Sequence, residues 1–215
     1  MSNITLNPIY EKIIDDLSNQ KYSISDFFFS TEETKQLREA IIRKENKKDF
    51  HQAAVGSSVN EQIVKSIRGD KIRWIDEENK TETEEIFFSK INDFIEYLNL
   101  TCYMGIEESE FHYAIYPEGT FYQKHVDAFK NDDRRTLSIV LYLNDEEWKD
   151  EFGGQLTLYL SDENKVEKEL DILPLAGRLA VFDSKTIPHE VKTVHRPRYS
   201  ITGWLKTRGN ILTYL

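Results

Sequence analysis

Three side chains in this sequence form a pattern able to hold a metal ion. His125-Val126-Asp127 places an imidazole and a carboxylate two residues apart, and on an extended chain a period of two aims both at one face. Alone the pair means little, because 5 His and 38 acidic residues in 215 give about one His-x-acid pair by chance. A second imidazole, His189, follows Pro188 at the start of another β-type run. Two imidazoles and one carboxylate on inward-facing strand positions can occupy one face of an octahedral metal and leave the opposite positions open. Such a set suits non-haem Fe(II) and is poor for a closed structural zinc site.

Arg198 follows nine residues after His189. If Glu190–Val194 and Tyr199–Lys206 are neighbouring antiparallel strands turned by His195-Arg196-Pro197, the guanidinium reaches the same cavity from the adjoining strand. An arginine inside a β core needs an anion, and its planar fork matches a carboxylate. Ser200, Thr202 and Trp204 share the parity of Arg198. A metal, an arginine and a hydroxyl together suit a dicarboxylate that chelates at one end and pairs at the other. His51, His112 and His195 read as surface or packing histidines, and Cys102 as a small buried apolar residue. With a single cysteine the chain can form no intramolecular disulfide and no cysteine-based zinc or iron–sulfur site of its own.

The elements that must position these groups divide into two kinds. Ile9, Ile13, Ile14 and Leu17 recur at helical spacing; Ser30-Thr31-Glu32-Glu33 opens a helix through about Lys44; Ile86 to Leu98 carries an apolar stripe predicting a third helix over about 83–98. Tyr22–Phe29 is β-rich. From Glu110 onward short β-type runs follow one another without intervening helical patterns: Phe111–Tyr116, Thr120–His125, Thr136–Leu143, Gln155–Leu160, Arg178–Phe182, Glu190–Val194 and Tyr199–Lys206. That succession predicts a sandwich, barrel or jelly roll and not βαβ units. The polar runs Asp76–Glu85 and Ser161–Glu169 are expected to be solvated loops or helix starts.

Composition bounds the rest. The formal net charge of −10 disfavours binding to phosphate backbones, and 12 Phe, 11 Tyr and 3 Trp are enough to fill one sizeable core. No segment approaches 18 consecutive apolar residues, and the start of the chain lacks the pattern of a secretory signal, so the expectation is a cytoplasmic protein with no membrane or nucleic-acid partner. One domain over 1–215 is expected, with a helical supporting region over 1–100 and a catalytic core over 101–206.

From about Ser66 to Lys206 the sequence resembles the prolyl 4-hydroxylase branch of the 2-oxoglutarate- and Fe(II)-dependent oxygenases, in particular the animal hypoxia-inducible-factor prolyl hydroxylases and their bacterial relatives. The matching text is Arg68-Gly69-Asp70-Lys71-Ile72-Arg73-Trp74-Ile75, Tyr116-Pro117, Tyr122-Gln123-Lys124-His125-Val126-Asp127 and Tyr142-Leu143-Asn144. It continues with Gly153-Gly154-Gln155-Leu156, Pro188-His189-Glu190-Val191 and Arg198-Tyr199-Ser200-Ile201-Thr202-Gly203-Trp204. The stretch between Tyr116 and His125 is shorter and less glycine-rich than in the animal enzymes, and Glu77–Glu85 differs in length and charge.

The resemblance implies an α+β, mainly β fold: a double-stranded β-helix (jelly-roll) core with N-terminal supporting helices. It implies that His125, Asp127 and His189 bind Fe(II), and that Arg198 holds the distal carboxylate of 2-oxoglutarate with help from the Tyr142 hydroxyl. Tyr116 and Thr202 would line the co-substrate pocket; Arg68, Asp70 and Trp74, in a segment over 66–85, would belong to a loop that folds over the substrate. The implied reaction consumes O2 and 2-oxoglutarate, with ascorbate as reductant, and hydroxylates a prolyl residue of a protein or peptide. An acidic chain favours a peptide with basic flanks. Two other readings fit the same residues: the same chemistry on a small molecule or another residue type, and a jelly-roll binding protein without turnover.

Overall fold

The computed structural model describes residues 5–53, 67–128, 134–161 and 166–208. Ser66, the first residue of the family-like stretch, and 162–165 of the second polar run lie outside them. Three α-helices are described: α1 (Pro8–Gln20), α2 (Thr31–Asn46) and α3 (Glu82–Cys102). The strands are β1 (Tyr22–Ser25), β2 (His51–Gln52), β3 (Lys71–Trp74), β4 (Ile106–Tyr116), β5 (Tyr122–His125), β6 (Arg135–Tyr142), β7 (Leu156–Ser161), β8 (Glu167–Ile172), β9 (Leu179–Asp183), β10 (His189–Val191) and β11 (Arg198–Thr207).

Local sequence explains the helix starts. Asn7 accepts a hydrogen bond from the Ile9 amide ahead of a proline in the first turn of α1. Ser30 with Glu33, and Thr81 with Glu84, form complete capping boxes at α2 and α3. α1 carries the helical periodicity of Ile9 to Leu17, α2 and α3 begin within a residue of where the sequence predicts, and α3 runs one turn further than expected. In that extra turn Cys102 is exposed, contrary to its reading as a buried apolar residue, beside the half-exposed Leu100.

The strands form two antiparallel sheets, one of seven strands in the order β1-β9-β6-β11-β4-β3-β2 and one of four in the order β5-β10-β7-β8. The pleat of the large sheet sorts its residues by parity. Phe111, Tyr113 and Ile115 of β4, Leu137, Ile139 and Leu141 of β6, and Ile201 and Leu205 of β11 pack with Leu37, Ile41, Phe87, Ile91 and Phe94 of the helices. The alternate residues, among them Ala114, Tyr116, Val140 and Tyr142, pack with Leu156, Leu158, Ile172 and Val191 of the small sheet. Helices therefore cover one face of the large sheet and the small sheet covers the other, which is the double-stranded β-helix with a helical supporting layer. At Gly203 a Cβ would stand 2.2 Å from the Phe111 ring, so β11 approaches β4 there at a distance only glycine allows.

Two expectations are corrected. β10 and β11 are not neighbours: β10 lies between β5 and β7 in the small sheet, and β11 between β4 and β6 in the large one. The chain leaves the small sheet after Val191 and crosses over, with Val194 bridged to Gly153, so Arg198 enters the cavity from the facing sheet. The end of the second polar run enters the edge strand β8, Glu167–Ile172, paired with β7 through Leu170↔Leu158. Its charges sit on a sheet edge, where they oppose pairing with another chain. No described helix is long and apolar enough to cross a membrane.

The second capping box is also tied to tertiary packing. The Glu84 side chain is buried and lies 3.1 Å from Lys44 Nζ. Burial alone would raise the pKa of its carboxyl, but hydrogen bonds from the Thr81 amide and hydroxyl and the Lys44 charge outweigh burial and hold it below the ordinary value. A depressed folded pKa stabilises above the unfolded value of about 4.3 and loses that contribution as pH falls through the folded value. Glu84→Gln should destabilise the fold by about 1–3 kcal/mol at pH 7. The deficit should shrink on acidification below about pH 4, as measured by thermal denaturation at both pH values.

Candidate metal centre and anion cavity

His125 ends β5 and His189 begins β10, and the antiparallel register sets these two residues directly opposite each other. Their ring centroids are 4.3 Å apart. Asp127, just past the end of β5, lies with Oδ1 3.6 Å from His125 Nε2 and Oδ2 3.4 Å from His189 Nε2. One ligand atom from each of the three falls within 4.8 Å of the others, a spacing that could hold a metal ion.

The tautomers suit that role. His125 Nδ1 is 2.7 Å from the Gln123 carbonyl oxygen and His189 Nδ1 is 3.1 Å from that of Ile187. A carbonyl only accepts, so each ring donates from Nδ1 and turns its Nε2 to the centre. Burial pushes His189 down to about 4, against the opposing pull of Asp127, so this imidazole is neutral at pH 7, the state in which it ligates. For Asp127 burial opposes ionisation, but His189, His125 and the Ser138 hydroxyl outweigh it and hold the carboxyl far below the usual range. The Ser138 hydroxyl donates to Asp127 Oδ2 at 2.6 Å and shares a hydrogen bond with Ser184 at 2.8 Å; Arg135 donates to the Asp127 carbonyl at 3.1 Å. Both ends of the aspartate are therefore fixed. Tyr122 stacks on His125 with ring centroids 3.7 Å apart and fixes that ring from its other side.

The centre opens into a cavity of about 470 Å³ between the two sheets. Arg198, 2 % exposed, forms part of its wall. Its guanidinium carbon lies 5.0 Å from the ring centroids of both Tyr116 and Tyr142. Among the described residues no carboxylate pairs with it, and its Nε and the Tyr142 hydroxyl are buried without a hydrogen-bond partner. Burying a cation without an anion is costly, so this end of the cavity is built to receive one. Gly154 makes room, since a Cβ there would stand 2.9 Å from Arg198 Cδ. Thr202 lines the same cavity.

Arg68 and Asp70 form a two-point ion pair at 2.8 and 2.6 Å, and Arg68 lies 4.4 Å above the Tyr122 ring. Trp74 is 45 % exposed and meets His112 edge-on. All three residues of the expected substrate loop border the cavity. The structure thus brings His125, Asp127, His189, Arg198, Tyr116, Thr202, Arg68, Asp70 and Trp74 to one cavity, with Tyr142 against Arg198. Sequence reasoning missed Ser138, Ser184, Arg135 and Tyr122, whereas His112, read as a surface or packing histidine, packs buried between Trp74 and Trp204. For His112 a signal existed: it shares β4 parity with Tyr116 and so must face the small sheet.

Comparison with known proteins agrees with this geometry. Residues 111–206, which contain His125, Asp127, His189 and Arg198, match the model of the 2OG-Fe(II) oxygenase superfamily. The chain is 31% identical over 199 residues to human Egl nine homolog 1, covering 90% of this chain and 46% of the human protein. It is 31% identical over 210 residues to the hypoxia-inducible factor prolyl hydroxylase of Caenorhabditis elegans, covering 94% of this chain and 28% of that one. It therefore spans about half or less of the length of these relatives. Among solved structures, a Pseudomonas putida prolyl-4-hydroxylase matches with TM-score 0.82 and 35% identity over 94% of this chain and 100% of its own. A Trichoplax adhaerens prolyl hydroxylase, solved with a hypoxia inducible factor oxygen degradation domain peptide, matches with TM-score 0.79 and 29% identity over 92% and 88%. The chain belongs to the 2OG-Fe(II) oxygenase superfamily, in its prolyl 4-hydroxylase branch.

Proposed function

We propose that this protein is a 2-oxoglutarate- and Fe(II)-dependent dioxygenase that hydroxylates a prolyl residue in a protein or peptide. The observation that carries this reading is the pairing, inside one cavity, of a three-ligand metal cluster with an arginine that has no anion of its own. His125, Asp127 and His189 would hold the iron on one face. Arg198 would bind the distal carboxylate of 2-oxoglutarate, with the Tyr142 hydroxyl as second donor and Tyr116 and Thr202 as walls. When bound, the iron supplies the coupling of 2-oxoglutarate decarboxylation, to succinate and CO2, with insertion of an oxygen atom from O2 into a substrate C–H bond.

The protein's own residues do the positioning. Asp127 is a ligand and not a proton shuttle: its two oxygens face the two imidazoles and the Ser138 hydroxyl, which donates to it. Arg198 neutralises the co-substrate and fixes its orientation. Val140, Leu156 and Phe182 give the cavity apolar walls that limit water around the reacting groups. The largely buried Arg68–Asp70 pair and the half-exposed Trp74 line the same cavity, and two relatives matching most of this chain are prolyl hydroxylases, one of them solved with a peptide.

Two outcomes are expected. Arg198→Met should weaken 2-oxoglutarate binding to the metal-loaded protein about a hundredfold, near 3 kcal/mol, in calorimetric titration. The same variant should leave the melting temperature of the ligand-free protein unchanged or raised, because it removes an uncompensated buried charge; a large drop would show that the arginine is structurally paired. In the second experiment, wild-type protein with Fe(II), ascorbate and 2-oxoglutarate should release succinate when given proline-containing peptides, with one oxygen atom added to the peptide by mass spectrometry. His189→Ala should abolish both products, and EDTA should do so reversibly on re-addition of Fe(II). An iron-loaded protein that neither binds nor consumes 2-oxoglutarate would sink the oxygenase reading.

A further inference from the structure

The buried arginine of the anion site stands at the very end of its strand. Arg198 opens β11 and follows Pro197, which has no amide hydrogen to donate. On one side it pairs with Tyr116 of β4. On the other side the register with β6 begins only at Ser200↔Tyr142, because β6 ends at Tyr142. Strand pairing therefore holds Arg198 from one side alone. A two-point bond between a guanidinium and a carboxylate tolerates little displacement, so the second side matters.

Asn144 supplies that side. Leu143 and Tyr199 stand where the next antiparallel pair would fall, and such a pair exchanges two hydrogen bonds. One of them is made, from the Leu143 amide to the Tyr199 carbonyl at 2.9 Å. For the other, the Tyr199 amide donates to Asn144 Oδ1 at 2.8 Å, while the Leu143 carbonyl accepts from Arg38 of α2 at 2.6 Å. A side-chain oxygen thus replaces a backbone acceptor on the residue next to Arg198.

The other end of the same amide is anchored too. Asn144 Nδ2 donates to the Pro174 carbonyl at 2.7 Å, and the residue is 1 % exposed. The segment after Pro174 is tied to Tyr142, whose carbonyl accepts from the Gly177 amide and whose amide donates to the Arg178 carbonyl, both at 3.0 Å. Asn144 therefore joins the backbone of Arg198 to the backbone of the tyrosine beside it. A primary amide offers a donor and an acceptor at once; a carboxylate has no donor and an alkyl group has neither. The nearby Arg196–Asp145 pair is about a third exposed and holds the entry to β11 less firmly. Asn144 does not line the cavity, and Tyr199 turns its ring to the helical layer, so the effect on a ligand runs through the backbone.

We propose that Asn144 is a positioning residue for the anion site: through the Tyr199 amide it fixes the backbone from which Arg198 reaches the distal carboxylate of 2-oxoglutarate. It thereby sets the preference for a dicarboxylate over a keto acid that lacks the second carboxylate. This rests on the proposed function and deepens its account of co-substrate binding.

The test titrates the full chain, loaded with Fe(II) and kept free of O2, with 2-oxoglutarate and with 2-oxobutyrate, which keeps the chelating keto acid and lacks the distal carboxylate. The wild type should strongly favour 2-oxoglutarate. Asn144→Ala should weaken 2-oxoglutarate about tenfold, one hydrogen bond's worth, and 2-oxobutyrate by less than about twofold. Glu84→Gln, which lowers the melting temperature without touching this rung, should leave both dissociation constants at the wild-type values. Should Asn144→Ala not fold, Asn144→Thr, which leaves a smaller cavity, takes its place with the same expectation. An unchanged 2-oxoglutarate affinity overturns the positioning role, and so does an equal loss for both keto acids, which would place the effect at the metal centre. A selective loss in Glu84→Gln overturns it as well, since any loosening of the fold would then suffice. A wild type that binds both keto acids alike is a different result: it overturns Arg198 as the anion site, and the role of Asn144 falls with it.

Discussion

Everything at the candidate centre depends on one cross-strand register, His189 opposite His125 between β10 and β5. Successive strand residues point to opposite faces, so a slip of one residue would turn one imidazole out of the cavity and leave two ligands where three are needed. β10 is only three residues long and would hold its register poorly alone. It is held on both sides, by β5 and by β7, where His189, Glu190 and Val191 meet Leu158, Thr157 and Leu156. Pro188 constrains the chain just before the ligand, and its carbonyl accepts from the Tyr159 amide, so the strand is also tied at its start.

The second constraint is electrostatic. A cavity between two sheets is a poor medium for charge, and each charged group in its wall is either compensated or left for a ligand to complete. Asp127 accepts from the Ser138 hydroxyl and faces two imidazole nitrogens across a spacing that could hold a cation, and Arg68 is compensated by Asp70. Arg198 is the exception, with two tyrosine rings in place of an anion. The contrast between paired and unpaired groups identifies the anion end more sharply than the shape of the cavity does. The cost of leaving Arg198 incomplete is met elsewhere, by the aromatic core that Phe87, Phe88, Phe94 and Phe111 build between α3 and the large sheet.

Much of this was legible in the sequence because metal ligands and helix caps are local patterns. His125-Val126-Asp127 needs only strand periodicity, and the capping boxes need only a spacing of three. What stayed hidden is non-local. The expected hairpin between β10 and β11 followed from their adjacency in sequence, yet the chain changes sheets between them, and only the pairings of β11 with β4 and β6 reveal it. β8 was masked by its own charges, which an edge strand tolerates and a central one would not. His112 has no neighbouring motif, and only its parity with Tyr116 places it on the inner face, where it packs between two indoles.

The two ends of the cavity are not independent. Arg135 donates to the Asp127 carbonyl, stacks on the Trp204 indole at 3.5 Å and is clamped by Glu110 at 2.7 and 3.0 Å, with Lys206 on the other carboxylate oxygen at 2.6 Å. One side chain therefore sets both the backbone that carries Asp127 and the Trp204 ring that lines the cavity. On the proposed function the target carbon would have to be held at a fixed distance from the metal, and that distance is the difference of two positions. Referring both positions to a single guanidinium removes the independent errors of two separate supports. The planar, permanently charged fork of arginine can make these contacts at once, where the single ammonium of a lysine could not.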